Sequence, residues 1–98
     1  MALSARDFGR DRHYVIGRRI AERRQELGLS QTGLAQLLQE RTGLIYTGVS
    51  IGNMEAGKQL DPAKVMALAI ALDCSLTYIH GWTDDPQKWE PDDRKPRV

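Results

Sequence analysis

Residues 47–59 read TGVSIGNMEAGKQ, and their polar side chains are two hydroxyls (Thr47, Ser50), two amides (Asn53, Gln59), a carboxylate (Glu55) and an ammonium (Lys58). That set lacks the imidazole or thiol of a nucleophile–base pair and the repeated ligands of a metal site. It is suited to recognition by hydrogen bonds and charge. An asparagine amide donates and accepts at once, which matches the N6 and N7 edge of adenine. A lysine ammonium suits a phosphate.

Chemistry elsewhere in the chain is sparse. His13, Cys74 and His80 have no metal-ligand spacing, and His80 near a helix end reads as structural. Asp84-Asp85 and Asp92-Asp93 are adjacent pairs in a polar segment, a poor basis for a catalytic carboxylate pair. No glycine-rich phosphate loop follows a strand, because strand signals are missing. The expectation is a protein that is not an enzyme and takes no metal or cofactor. Cys74 is the single cysteine, which excludes an internal disulfide and fits a reducing cytosol. No apolar run approaches the roughly 20 residues that span a bilayer. The N-terminus lacks the apolar core of a signal peptide, so a cytoplasmic protein with no membrane partner is expected.

The elements that must position the polar groups fit one domain. The 98 residues are 41% hydrophobic and 28% charged, as in ordinary globular chains, and suffice for a single modest core. The net charge of +1 hides an asymmetry. Residues 1–30 carry Arg6, Arg10, Arg12, Arg18, Arg19, Arg23 and Arg24 against Asp7, Asp11, Glu22 and Glu26, whereas residues 61–98 are richer in acids than in bases. Such a chain can turn a basic side to a polyanion, or its arginines can simply solvate a helix.

Helical periodicity dominates throughout. A first helix is expected from about Arg12 to Leu27, with Ile16, Ile20 and Leu27 on one stripe and Gly28 as its stop. Ser30 caps a second helix that turns Leu34, Ala35 and Leu38 inward and fades between Arg41 and Gly43. Thr47 can cap a third, Gly48 to Ala56, ended by Gly57. Asp61-Pro62 is a cap followed by proline at the first helical position, and the helix it starts places Val65, Leu68, Ala69 and Leu72 on one face. Ser75 caps a short fifth helix with Leu76 and Ile79 inward and Gly81 at its end. The stretch from Thr83 is polar and broken by prolines, and reads as a tail. The organisation expected is a flexible N-terminal arm (1–11), a compact all-α five-helix domain (12–82), and a polar tail or linker (83–98).

Three stretches carry a resemblance: RRQELGLSQTGLAQLL, TGVSIGNMEAGK and LDPAKVMALAIALDCSLTYIHG. In order they resemble the phage-repressor (Cro/C1, XRE) helix-turn-helix family, from about Ile16 to Trp82. The matching positions include Arg24, Gly28, Ser30, Gln31, Leu34, Ala35, Ile51, Glu55, Gly57, Pro62 and Leu68. The resemblance implies a lambda-repressor-like fold and a sequence-specific repressor that binds double-stranded DNA as a homodimer. One departure stands out. The segment QERTGLIYTG makes the connection between the second and third helices about six residues longer than the tight turn of the shortest forms.

Within that frame the third helix places Ile51 and Met54 on one side, with Glu55 at its edge. Val49, Gly52 and Asn53 lie opposite, with Gly48 at their margin. Each interior glycine costs roughly 1 kcal/mol relative to alanine. The expected return is close approach of the helix to base edges in the major groove, the alternative being an irregular, loop-like segment. Arg24 shares a core-facing stripe and needs a partner, for which Glu55 is the candidate. Gln31 at a helix start is expected at the DNA backbone; Thr47 and Ser50 can contact phosphate, Thr47 equally being only a cap, and Lys58 and Gln59 either contact phosphate or are simply solvated. Tyr46 either stacks on the backbone or plugs the longer connection. Arg18, Arg19 and Arg23 either attract DNA or only solvate their helix. Trp82 and Trp89 are expected to pack on the domain or a partner. Two other readings stay open: an antitoxin whose C-terminal tail binds a toxin or effector protein, and an interaction module that has lost DNA binding.

Overall fold

Local signals set the element boundaries. In the computed structural model, which describes residues 5–92 and side chains from residue 11, five helices follow in order. They are α1 (Ala5–Glu26), α2 (Gln31–Thr42), α3 (Gly48–Glu55), α4 (Pro62–Ala71) and α5 (Leu76–Ile79), and no strand occurs among the described residues. Four helices start on the caps expected. The Ser30, Thr47, Asp61 and Ser75 side chains accept the amides of Gly33, Ser50, Lys64 and Tyr78 at 2.8–3.1 Å. Each cap satisfies an amide that the helix leaves free, worth about 1 kcal/mol. Gly28 and Gly57 adopt φ of +72° and +82°. There the Leu29 and Lys58 amides reach back to the carbonyls of Arg24 and Asn53 at 3.1 and 2.9 Å, closing α1 and α3 with the same left-handed turn.

Two boundaries differ from expectation. The first helix begins at Ala5 rather than Arg12, so residues 5–11 belong to it instead of to an arm; residues 1–4 lie outside the described residues. The start is polar and carries no apolar period, and periodicity is the signal by which a helix is recognised. Leu27, expected on the core stripe, is exposed because the chain has already left the helix there.

The segment after Thr83 is not a free tail, at least as far as Asp92. It folds back over α5, where Ser75 N–H donates to the Pro86 carbonyl at 2.7 Å. The Ser75 and Thr77 hydroxyls donate to the carbonyls of Lys88 and Trp89, both at 2.6 Å. Thr83 is fully buried. The Lys88 ammonium at 3.0 Å, aided by the Asp84 amide and the Thr83 hydroxyl, holds the Asp92 carboxylate below its usual range. Three of these bonds end on main-chain carbonyls, and a polar composition gives no sign of them. Residues 93–98 lie outside the described residues.

The core joins Ile16 and Ile20 of α1, Leu34 and Leu38 of α2, Ile51 and Met54 of α3, Leu68 of α4, and Leu72 and Ile79. Helix α3 is wedged between α1 and α2. Its contact with α1 is made backbone to backbone at Gly17, where a Cβ would stand 2.3 Å from the Glu55 carbonyl oxygen and 2.9 Å from that of Met54. No side chain fits that gap, and backbone cannot rotate away as a side-chain tip can. Gly17→Ala is therefore expected to force α1 off α3 and to destabilise by about 1–3 kcal/mol, toward the upper end. A chemical denaturation midpoint equal to that of the wild type would refute this account of the crossing.

Candidate nucleic-acid interface

An eight-residue helix has little stability of its own, so the position of α3 is a matter of what holds it. Ile51 and Met54 anchor it from below, both almost wholly buried. Its last residue, Glu55, is gripped from two directions. Arg24 at the end of α1 donates through Nε to Glu55 Oε2 at 2.6 Å and through Nη2 to Oε1 at 3.1 Å. Gln31, the first residue of α2, donates through Nε2 to Oε1 at 3.0 Å. Arg24 Nη1 is occupied by the Leu29 carbonyl at 2.9 Å. With the arginine and carboxylate side chains only 13% and 8% exposed, this is a bidentate pair in a mostly desolvated place, where fixed geometry and full hydrogen bonding offset the cost of burial.

The glycines of α3 have a different reason from the one the sequence suggests. A Cβ on Gly48 would lie 2.8 Å from Thr32 Oγ1 and 3.3 Å from the Thr32 amide nitrogen; one on Gly52 would lie 3.4 Å from Gln31 Nε2. The missing side chains face the first turn of α2, not the outside. Gly48 brings α3 tight against the N-terminus of α2, whereas a Cβ on Gly52 would make only ordinary contact with the Gln31 side chain. What remains outward on α3 is Val49, 76% exposed, with Ser50 and Asn53 partly exposed. Thr47 Oγ1, besides capping the helix, lies 3.2 Å from Ser50 Oγ. Lys58 is exposed immediately beyond the Gly57 turn, and Gln31 is exposed at the head of α2. Sequence reasoning grouped these residues, and the fold brings Gln31, Gly48, Gly52 and Glu55 into one contact region.

Two helices joined by a short connection and locked at this angle invite comparison with known families. A family model described as helix-turn-helix matches residues 20–79, more than half of the chain. The chain belongs to the Cro/C1-type helix-turn-helix family. A search of curated proteins and of solved structures found no match. The family is one of DNA-binding regulators rather than of enzymes, and double-stranded DNA is the partner it implies. No helix among the described residues is long and apolar enough to cross a membrane.

In this helix-turn-helix the stretch QERTGLIYTG is divided between a helix and a link. Helix α2 continues to Thr42, whose hydroxyl donates to the Leu38 carbonyl at 2.7 Å, and Gly43 caps it at φ +78°. Only residues 43–47 form the connection. Tyr46 packs against the core from it, as a plug, while Ile45 projects outward.

Much of the basic front of the helix-turn-helix is engaged internally. Arg19 pairs with Asp84 at 2.7 Å and lies over the Tyr78 ring at 4.7 Å. Arg23 donates to the carbonyls of Leu72 and Asp73 at 3.0 and 3.2 Å, and Arg41 to that of Ala71 at 2.9 Å. These two cations converge on the C-terminal carbonyls of α4, the negative end of its dipole. Arg18 stays exposed beside the Tyr14 ring. Arg12 donates to the His80 carbonyl, and His80 stacks on Trp82 at 5.2 Å, with burial and then the Arg12 charge lowering the imidazole's pKa. Burial raises the Cys74 thiol to about 11, so it stays protonated near neutrality. Sequence reasoning missed Gly17 and Arg41. Gly17 had a signal, an isolated glycine within a helical pattern; Arg41 had none, because its partner is a distant backbone carbonyl.

Glu55→Ala leaves the Arg24 guanidinium without its carboxylate and frees the end of α3. A loss of roughly 3–5 kcal/mol is expected, read as a lowered midpoint in thermal or denaturant unfolding. A melt unchanged within error would remove the pair from any account of how α3 is held.

Proposed function

We propose that this chain is a sequence-specific transcriptional repressor that binds an inverted-repeat operator as a homodimer, with α3 in the major groove. The carrying observation is the lock of Glu55 to Arg24 and Gln31, which fixes α3 against α2 and leaves Val49, Ser50 and Asn53 outward. Asn53 takes the adenine edge and Val49 a thymine methyl. Gln31, Thr47, Ser50 and Lys58 hold the DNA backbone. The N-terminus of α2 suits a phosphate, and Gly48 brings the backbone of α3 close beside it. The reading unit is the five-helix domain, and it works in the cytoplasm.

The dimer forms through the outer face of α4 and the C-terminal segment. Met66 and Ile70, one helical turn apart, are exposed there together with Trp82 and Trp89. Adjoining grooves of about 610 and 430 Å³ share Met66 and Leu76 as walls. The same surface supports a second reading, an antitoxin that seats a toxin protein on its C-terminal third.

Asn53 and Lys58 separate reading from holding. Asn53→Ala is expected to relax preference at one base pair per half-site by about 1–3 kcal/mol. Lys58→Ala weakens all sequences alike and flattens the salt dependence by about one phosphate per subunit. Binding of both variants to a randomised duplex library at two salt concentrations checks this. A uniform loss for Asn53→Ala, with every base preference intact, would mean that another face of α3 enters the groove. Half-sites are read about 34–36 Å apart, so sedimentation is expected to give a dimer on DNA; a persistent monomer at high micromolar concentration with operator present contradicts the dimer.

A further inference from the structure

The connection between α2 and α3 carries an aliphatic side chain whose exposure the domain's own packing does not account for. Ile45 is 77% exposed, and Val49, four residues on in the first turn of α3, is 76% exposed. Single exposed aliphatics are ordinary, but Leu44, Ile45 and Val49 fall within six residues at one end of the reading helix. The segment is also held at both ends. Gly43 N–H donates to the Gln39 carbonyl and Leu44 N–H to Thr42 Oγ1; Tyr46 packs into the core, and Thr47 caps α3. Ile45 is therefore presented from an anchored backbone, and its β-branched side chain is stiff at χ1, so little freedom is left to lose on contact.

We propose that Ile45 is a specificity-determining residue that contacts the 5-methyl group of a thymine, extending the apolar reading of Val49 past the N-terminus of α3. The inference rests on the DNA-binding reading. The thymine methyl is the distinctive apolar group on the base edges of the major groove, and α3 itself offers only Ser50 and Asn53 as polar readers beside Val49. Four residues of chain span at most about 14 Å. With base pairs about 3.4 Å apart along the helix axis, the thymine under Ile45 lies within about four base pairs of the one under Val49.

The test starts from the duplex that the wild-type chain selects from a randomised library. Each thymine of that duplex is then replaced singly by deoxyuridine, which removes the methyl and nothing else. At one position in each half-site, within four base pairs of the Val49-dependent one, deoxyuridine is expected to weaken wild-type binding roughly fourfold, the worth of burying one methyl-sized group. Ile45→Ala should weaken binding to the thymine duplex by a similar factor and be indifferent to deoxyuridine at that position. Its melt should match the wild type, since the side chain is exposed. If Ile45→Ala binds as tightly as wild type, or loses affinity equally for thymine and deoxyuridine duplexes, the assignment of Ile45 fails while the DNA-binding reading stands. If no sequence is enriched at all, the DNA-binding reading fails and takes this inference with it.

Discussion

The carboxylate of Glu55 is the point on which the helix-turn-helix depends. Three donor atoms from two elements converge on it, two from Arg24 at the end of α1 and one from Gln31 at the start of α2. A charge in that position cannot be left half-satisfied without a penalty of several kcal/mol, so the three elements are held to one arrangement. The two tight crossings reinforce it. Gly17 sets α1 directly on the terminal carbonyls of α3, and Gly48 sets α3 on the first turn of α2. The first is a contact to backbone and the second to the Thr32 hydroxyl and amide, which leaves little room to slide. A helix of eight residues acquires by these means an orientation that its own hydrogen bonds could not supply.

What was legible in the sequence follows from the range of each interaction. The caps at Ser30, Thr47, Asp61 and Ser75 act over three residues, so a local reading finds them. The Arg24–Glu55 pair was legible for another reason: each charge occupies a core-facing stripe, and such a charge demands a partner. The purpose of Gly48 and Gly52 was not legible. A helical wheel separates faces but does not say which face meets α2 and which meets solvent, so it cannot show that Gly48 lies on Thr32. The C-terminal fold-back and the arginine caps on α4 were also out of reach. Arg23 and Leu72 are 49 residues apart, and the acceptor is a carbonyl that every residue possesses.

The stretch between α2 and α3 leaves the lock undisturbed. Its residues fall partly into the last turn of α2, closed by Gly43, and partly into a five-residue link with Tyr46 as its internal anchor. Glu55 and Gln31 lie at the ends of α3 and α2 far from that link, and only Gly48 stands beside it. The two helices are thus held together by contacts on Glu55 that the link does not enter.

The use of arginine bears on how such a domain meets DNA. Arg19, Arg23, Arg24 and Arg41 all hold acceptors within the fold, and the net charge of the chain is only +1. Long-range attraction grows with the charge left to face the phosphates and is screened beyond about 8–10 Å at physiological salt. Cations already paired inside the domain add little to that field. In the proposed reading, affinity must then come from contacts made at close range, from the α2 amides, the hydroxyls around Thr47 and the outward groups of α3. Such contacts weaken less with salt than a dense basic surface does, because fewer counterions are released. They also depend on fit: a displacement of α3 that a cluster of arginines would tolerate removes an amide or methyl contact altogether. A nearly neutral reader therefore requires a rigid helix-turn-helix, and the Glu55 lock with its glycine crossings provides that rigidity.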